Sequence, residues 1–302
     1  MQLNAGLKRN GRLEGPEDIH RRDAMIKDIL VHIPTERPMR SAIDGAISLA
    51  AGLNARLDAV AVGYVTTSTA YVLDGGAAVA SVFEMERERA EERAETALAV
   101  FETEAKNAGI AYACHPLAAI PADAEASVGA MARLYDLSVV LQPDPERGSF
   151  DNDLPREVLF QAGGPVLFLP YTFNGAFKAN RIGICWDGSR VAARAVHDAT
   201  SFLLRAEEIV ILTINEADAV PGEASADQLA RHLARKGLSA RIVSLSAARS
   251  DIQPTILSLA ADENLDLLVM GGYGHSRLQE RFLGGVTRAM LQAMTVPTLM
   301  SH

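Results

Sequence analysis

The chain has 302 residues, 48% of them hydrophobic and 22% charged, with a formal net charge of -9. That composition is globular and the length suits about two domains. The negative balance argues against non-specific nucleic-acid binding, because a phosphate backbone would be repelled. The two cysteines, Cys114 and Cys185, stand far apart without a CxxC pair, which argues against a disulfide framework or a zinc site and suits a reducing, cytoplasmic compartment.

Residues 1–25 read as a polar, disordered leader. They lack the apolar core of a signal peptide, and Met25 opens the first structured stretch as an alternative start. No run of about 18 apolar residues follows, so no membrane span is expected.

From there, short apolar runs alternate with amphipathic stretches, the pattern of parallel βαβ units. The first half offers strands at 28–33 (DILVHI), 56–63 (RLDAVAVG), 110–115 (IAYACH), 137–142 (LSVVLQ) and 165–170 (PVLFLP). A long helix, 81–107, is inserted between the second and third, with Phe83, Ala94, Leu98, Phe101 and Ala105 near helical spacing as its buried stripe. The second half offers strands at 181–186 (RIGICW), 208–214 (EIVILTI), 239–244 (SARIVS), 266–271 (DLLVMG) and 297–301 (PTLMS). Each half ends in helix, proline and apolar strand. The fold expected is α/β, two tandem doubly wound five-stranded parallel sheets: a first domain over 26–170, a junction at 171–180 and a second domain over 180–302. The apolar fifth strands, "PVLFLP" and "VPTLMS", are exposed edges unless they pair with each other. Further association of two chains into a homodimer is left open.

The stretch 271–287, GGYGHSRLQERFLGGVT, places five glycines between a strand and a helix. Glycine permits positive φ and close backbone approach. A helix N-terminus adds amides and a positive dipole end, together a nest for phosphate. The simpler reading is a flexible surface loop. Neither GxxxxGK[ST] nor a GxGxxG after a first strand occurs. Asp187, in CWDGS at the end of the lobe's first strand, would line the same crevice if the strand order is 3-2-1-4-5, because ligands then sit where that order reverses. Asp187 also reads as an N-cap or Asx turn, with Ser189 as the competing cap.

These residues resemble the universal stress protein family. Its nucleotide-binding members carry G-2x-G-9x-G-(S/T) after the fourth strand, and Gly271, Gly274 and Gly284 reproduce that spacing. The resemblance covers about residues 26–302 as two copies, strong in the second lobe and eroded in the first. It implies an adenine nucleotide alpha-hydrolase-like fold with order 3-2-1-4-5 in each lobe. It also implies ATP or a related adenine nucleotide in the second lobe, and Asp187 beside its phosphates could position Mg²⁺. Asp187 and Ile214 would lie near the adenine end, and Met270, Gly271, Gly274, Gly284, Gly285 and Val286 near ribose and phosphates. The family's Ser/Thr after the third glycine is Gly285 here, which keeps an amide and loses a hydroxyl. His275 and Arg277 add charge in the loop. The first lobe has Pro34 in place of the aspartate, and Leu141, Asp144 and Asp153 in place of the glycines. It therefore reads as a structural partner that binds no nucleotide. No HExxH, GxSxG or Cys–His couple appears. A nucleotide-binding stress-response module is the favoured reading, with a slow ATPase or phosphotransferase and a nucleotide-free interaction protein as the alternatives.

Overall fold

The computed structural model describes residues 26–66, 77–273 and 285–302. Ten strands run through it: β1 (Asp28–Ile33), β2 (Arg56–Tyr64), β3 (Tyr112–Ala119), β4 (Leu137–Leu141), β5 (Val166–Leu169), β6 (Arg181–Cys185), β7 (Glu208–Ile214), β8 (Ala240–Leu245), β9 (Leu267–Gly271) and β10 (Thr298–Ser301). They form one sheet in the order β3-β2-β1-β4-β5-β10-β9-β6-β7-β8. Each half is thus a doubly wound 3-2-1-4-5 unit with parallel neighbours. The halves meet where β5 and β10 pair antiparallel, with Thr298 opposite Phe168, Leu299 opposite Leu167 and Met300 opposite Val166.

Strands covered on both faces are mostly apolar, as suits parallel sheets, with His32, Ser138, Thr298 and Ser301 buried among them. One face carries α1 (Arg40–Leu53), α2 (Ala77–Ala108), α5 (Arg190–Asp198), α6 (Thr200–Leu203) and α8 (Ala226–Arg235) over a core that includes Ile29, Val31, Ile184 and Val269. The other carries α3 (Pro121–Ala132), α4 (Leu154–Gln161), α9 (Ile252–Asp262) and α10 (Val286–Ala293) over Leu30, Val60, Leu212 and Met300. A short helix, α7 (Glu216–Ala219), follows β7. Among the described residues no helix is long and apolar enough to cross a membrane.

Two local expectations are corrected. The third strand begins at Tyr112, not residue 110. Gly109 takes φ +66 and the Ile110 N–H returns to the Ala105 carbonyl, so the end of α2 claims both residues. Phe83 is not in the buried stripe of α2: it is 39% exposed, whereas Ala94, Leu98, Phe101 and Ala105 are buried. The helix has 32 residues, about 48 Å, and outruns the 9-residue β2, roughly 30 Å. Its first turns project past the sheet.

The carboxyl edge of lobe one is closed from within. Asp151, fully buried in the 3-10 turn Phe150–Asn152, accepts the N–H groups of Thr35 (3.1 Å) and Glu36 (2.9 Å) on Oδ2 and the Tyr64 hydroxyl (3.0 Å) on Oδ1. Glu36 in turn accepts the Ser149 hydroxyl and the Phe150 N–H. The buried Arg37 guanidinium donates to the carbonyls of Leu141 and Gln142. Acidic residues here do more than repel an anion, because one of them already satisfies the amides at the end of β1. His32 lies in the same cluster, 1% exposed, with Nε2 3.5 Å from Asp151 Oδ1. Burial pushes the imidazole down to about 4, against the weaker upward pull of Asp151 and with a further push from Arg37. At neutral pH this is therefore a neutral ring beside a carboxylate. Burial, and then Asp151, raise the Tyr64 phenol, so it stays a donor.

Two outcomes are expected. The unfolded chain binds a proton at His32 near pH 6.5 and the folded chain only near 4, so stability from this group is present above 6.5 and lost as pH falls between those values. Urea unfolding should show about 2 kcal/mol of His32-dependent loss between pH 7 and 5, absent in His32→Leu; equal pH slopes in the two proteins would refute the assignment. A Cβ on Gly63 would lie 1.7 Å from the Ala90 carbonyl oxygen, whereas one on Gly52 meets nothing within 4 Å. Gly63→Ala should cost about 1–3 kcal/mol or more by forcing α2 off β2, and Gly52→Ala, in α1, should be neutral or stabilising by up to about 1 kcal/mol.

Candidate functional site

In lobe two, β6 ends at Cys185 and the chain turns through Trp186, Asp187, Gly188 and Ser189 into α5. Gly188 takes φ +69, and a Cβ there would strike Val220. Asp187 Oδ1 accepts the Ser189 N–H at 2.9 Å, and Ser189 Oγ accepts the Ala192 N–H at 3.2 Å. The two competing roles are therefore divided: Ser189 is the N-cap and Asp187 makes the Asx turn. The Asp187 side chain stays exposed at the edge. The Trp186 indole N–H, donating to the Ala224 carbonyl at 2.7 Å, fixes the turn from below. Burial, with Asp187 nearby, pushes the Cys185 thiol up to about 12, so it stays protonated at neutral pH.

β9 lies beside β6 with Met270 opposite Cys185. The strands stop together, so Asp187 and Gly271 open on the same edge. Met270 is buried in the core beneath. Ile214, the last residue of β7, is half-buried one strand further over. Beyond it, left-handed Asn215 bonds both polar groups of the Ala247 backbone and ties the ends of β7 and β8. Gly285 is the N-cap of α10, with φ -65 and no side-chain cap, and the first turn of the helix, from Val286, contains no acidic residue. The positive end of α10 thus reaches the edge beside β9. Gly274, Gly284, His275 and Arg277 lie outside the described residues.

The glycines after β9 require a correction. Neither Gly271 nor Gly272 takes positive φ. A Cβ on Gly271 would come within 2.6 Å of the Ala192 nitrogen and Val191 Cγ2, so its bareness admits the first turn of α5. A Cβ on Gly272 would meet Leu159 of lobe one at 3.0 Å. The Gly272 N–H donates to the Ser301 carbonyl at 2.8 Å and the Tyr273 N–H to Thr287 Oγ1 at 3.1 Å. Those two amides are spent on the protein itself. At the N-terminus of α10, by contrast, no side chain caps the first-turn amides.

Sequence reasoning missed a groove of about 550 Å³ between α5 and α8, lined by Trp186, Ser189, Arg190, His197, His232 and Arg235 among others. It opens beside the Asp187 turn but does not take in Ile214, Met270, Gly271, Gly285 or Val286. The rings of His197 and His232 meet edge to face at 6.2 Å. Partial burial, then Lys236, Arg235 and His197, push His232 down. No spacing in the sequence links two histidines on separate helices. Among the described residues no group of three His, Cys, Asp or Glu side chains could hold a metal. A Mg²⁺ ion would have Asp187 as its one carboxylate here and would need a nucleotide's phosphates for the rest.

The comparisons agree with this architecture. The sequence model of the universal stress protein family matches residues 178–302. No curated protein matches the chain. A solved universal stress protein from Archaeoglobus fulgidus is 16% identical with a TM-score of 0.67, covering 90% of this chain and 95% of that one. A Pseudomonas aeruginosa protein described as functionally unknown is 15% identical with a TM-score of 0.55, covering 92% and 93%. At these identities the likeness is one of fold, and it spans both lobes. Residues 178–302 therefore belong to the universal stress protein family, and residues 26–170 repeat their fold.

Proposed function

We propose that lobe two binds an adenine nucleotide, ATP with or without Mg²⁺, at the shared carboxyl edge of β6 and β9, as a regulatory module of the stress-response type. Lobe one serves as a partner that binds none. The observation that carries this reading is the convergence of an exposed aspartate, Asp187, with the end of a helix, α10, that has no side-chain cap. A carboxylate suits the sugar or base end of a nucleotide, and uncapped amides suit its phosphates. Asp187, Ile214 and Met270 would take the adenosine end; Gly271, Gly285 and Val286, with Gly274 and Gly284, would take the phosphate end. In lobe one the matching edge already holds the Asp151 carboxylate. Both cysteines are free, which suits a cytoplasmic setting.

Calorimetry of the full chain with ATP and Mg²⁺ should show saturable binding without phosphate release. Asp187→Ala should weaken it about tenfold, the size of one charge-assisted hydrogen bond. Gly285→Ser, which restores the family's hydroxyl, should tighten it about fivefold. Absence of heat, thermal shift and co-purified nucleotide would dismiss the reading, and phosphate release lost in Asp187→Ala would make the site an ATPase.

A further inference from the structure

The seam between β5 and β10 is not the only joint between the lobes. Because those strands run antiparallel, the C-terminal end of α4 in lobe one lies beside the carboxyl edge of lobe two. Leu159 packs flush on the bare face of Gly272. The Phe160 ring lies 4.7 Å from that of Tyr273, tilted by 46°, and 4.9 Å from that of His302, edge to face at 86°. His302 Nδ1 lies 3.1 Å from the Gly272 carbonyl oxygen. Tyr273 takes φ +52, a left-handed conformation that disfavours any residue with a Cβ. Its ring contact with Phe160 on one side and its N–H bond to Thr287, in the first turn of α10, on the other hold it there.

We infer that Phe160 is a positioning residue for the lobe-two site. Through Tyr273 and Thr287, lobe one fixes how the β9 exit meets the N-terminus of α10, and so sets nucleotide affinity. This rests on the nucleotide reading above. Linkage makes the effect reciprocal: a nucleotide that favours the held form of Tyr273 also tightens the contact between lobes.

The test is ATP titration of four full-length proteins, with hydrogen exchange at the Tyr273 amide. Wild type should bind. Phe160→Ala should bind about fivefold more weakly, the scale of one aromatic pair, with faster exchange at Tyr273. Phe160→Tyr should restore affinity to within about twofold of wild type. Arg194→Ala, which removes a different interlobe bond, that of Arg194 to the Gly163 carbonyl, should leave affinity unchanged. Should Phe160→Ala fail to fold, Phe160→Leu keeps the volume, loses the ring and should show the same direction. Wild-type affinity in Phe160→Ala or Phe160→Leu overturns the inference alone, as does an equal loss in Arg194→Ala. No binding by wild type overturns the nucleotide reading and the inference with it.

Discussion

The antiparallel pairing of β5 and β10 is the constraint on which the rest of the molecule depends. Both strands are wholly buried. Neither could stand at a free edge, because Val166, Leu167 and Phe168 would face water along with an unpaired row of amides and carbonyls. Pairing them removes two apolar edges at once and leaves β3 and β8 outermost. Those are built for it: β3 carries Pro116 and is nowhere fully buried, and β8 is half-exposed with Arg241 and Ser244 in it. The pairing also fixes orientation. Parallel strands within each lobe and an antiparallel seam between them point the two carboxyl edges in opposite directions, so each edge lies beside the other lobe's helix ends.

One topology reaches two different outcomes at those edges. In lobe one a loop delivers Asp151 to the amides after β1, and a buried carboxylate with two amide donors and a phenol is well satisfied. Arg37 closes the carbonyls beside it. Removing any member would strand a buried charge, which is the costly event in such clusters. In lobe two the aspartate at the edge, Asp187 in the turn after the first strand, stays exposed and accepts the Ser189 N–H. The acid is internal in one case and external in the other.

Much of this was legible in the sequence because it depends on local pattern. The run EIVILTI is β7 residue for residue, and the repeated order of strand, helix and proline marked the duplication. What was not legible depends on contacts far apart in the chain. Ile110 reads as strand until Gly109 is seen capping α2. Phe83 fits the helical stripe, but only the length of β2 shows that the stripe has nothing left to cover. Acidic residues in the loop after β4 are visible as a group. Which of them reaches the amides after β1 is set by Thr35 and Glu36, more than a hundred residues away; the expectation singled out Asp144 and Asp153, of which Asp144 is buried, but it is Asp151 that accepts those amides.

Glycine is where local and long-range explanations compete most directly. A cluster after a strand suggests a cradle kept open for phosphate. At Gly271 and Gly272 the open space is instead filled, by α5 from the same lobe and by α4 from the other. The weight of the proposed site therefore shifts from the glycines to α10. A helix end with no side-chain cap leaves amides for water or a ligand, and with no acid in its first turn its field is not cancelled. Thr287, in that same turn, receives the Tyr273 N–H, and Tyr273 rests on Phe160. The part of lobe two proposed for an anion is thus braced by lobe one, through the contact of Tyr273 with Phe160.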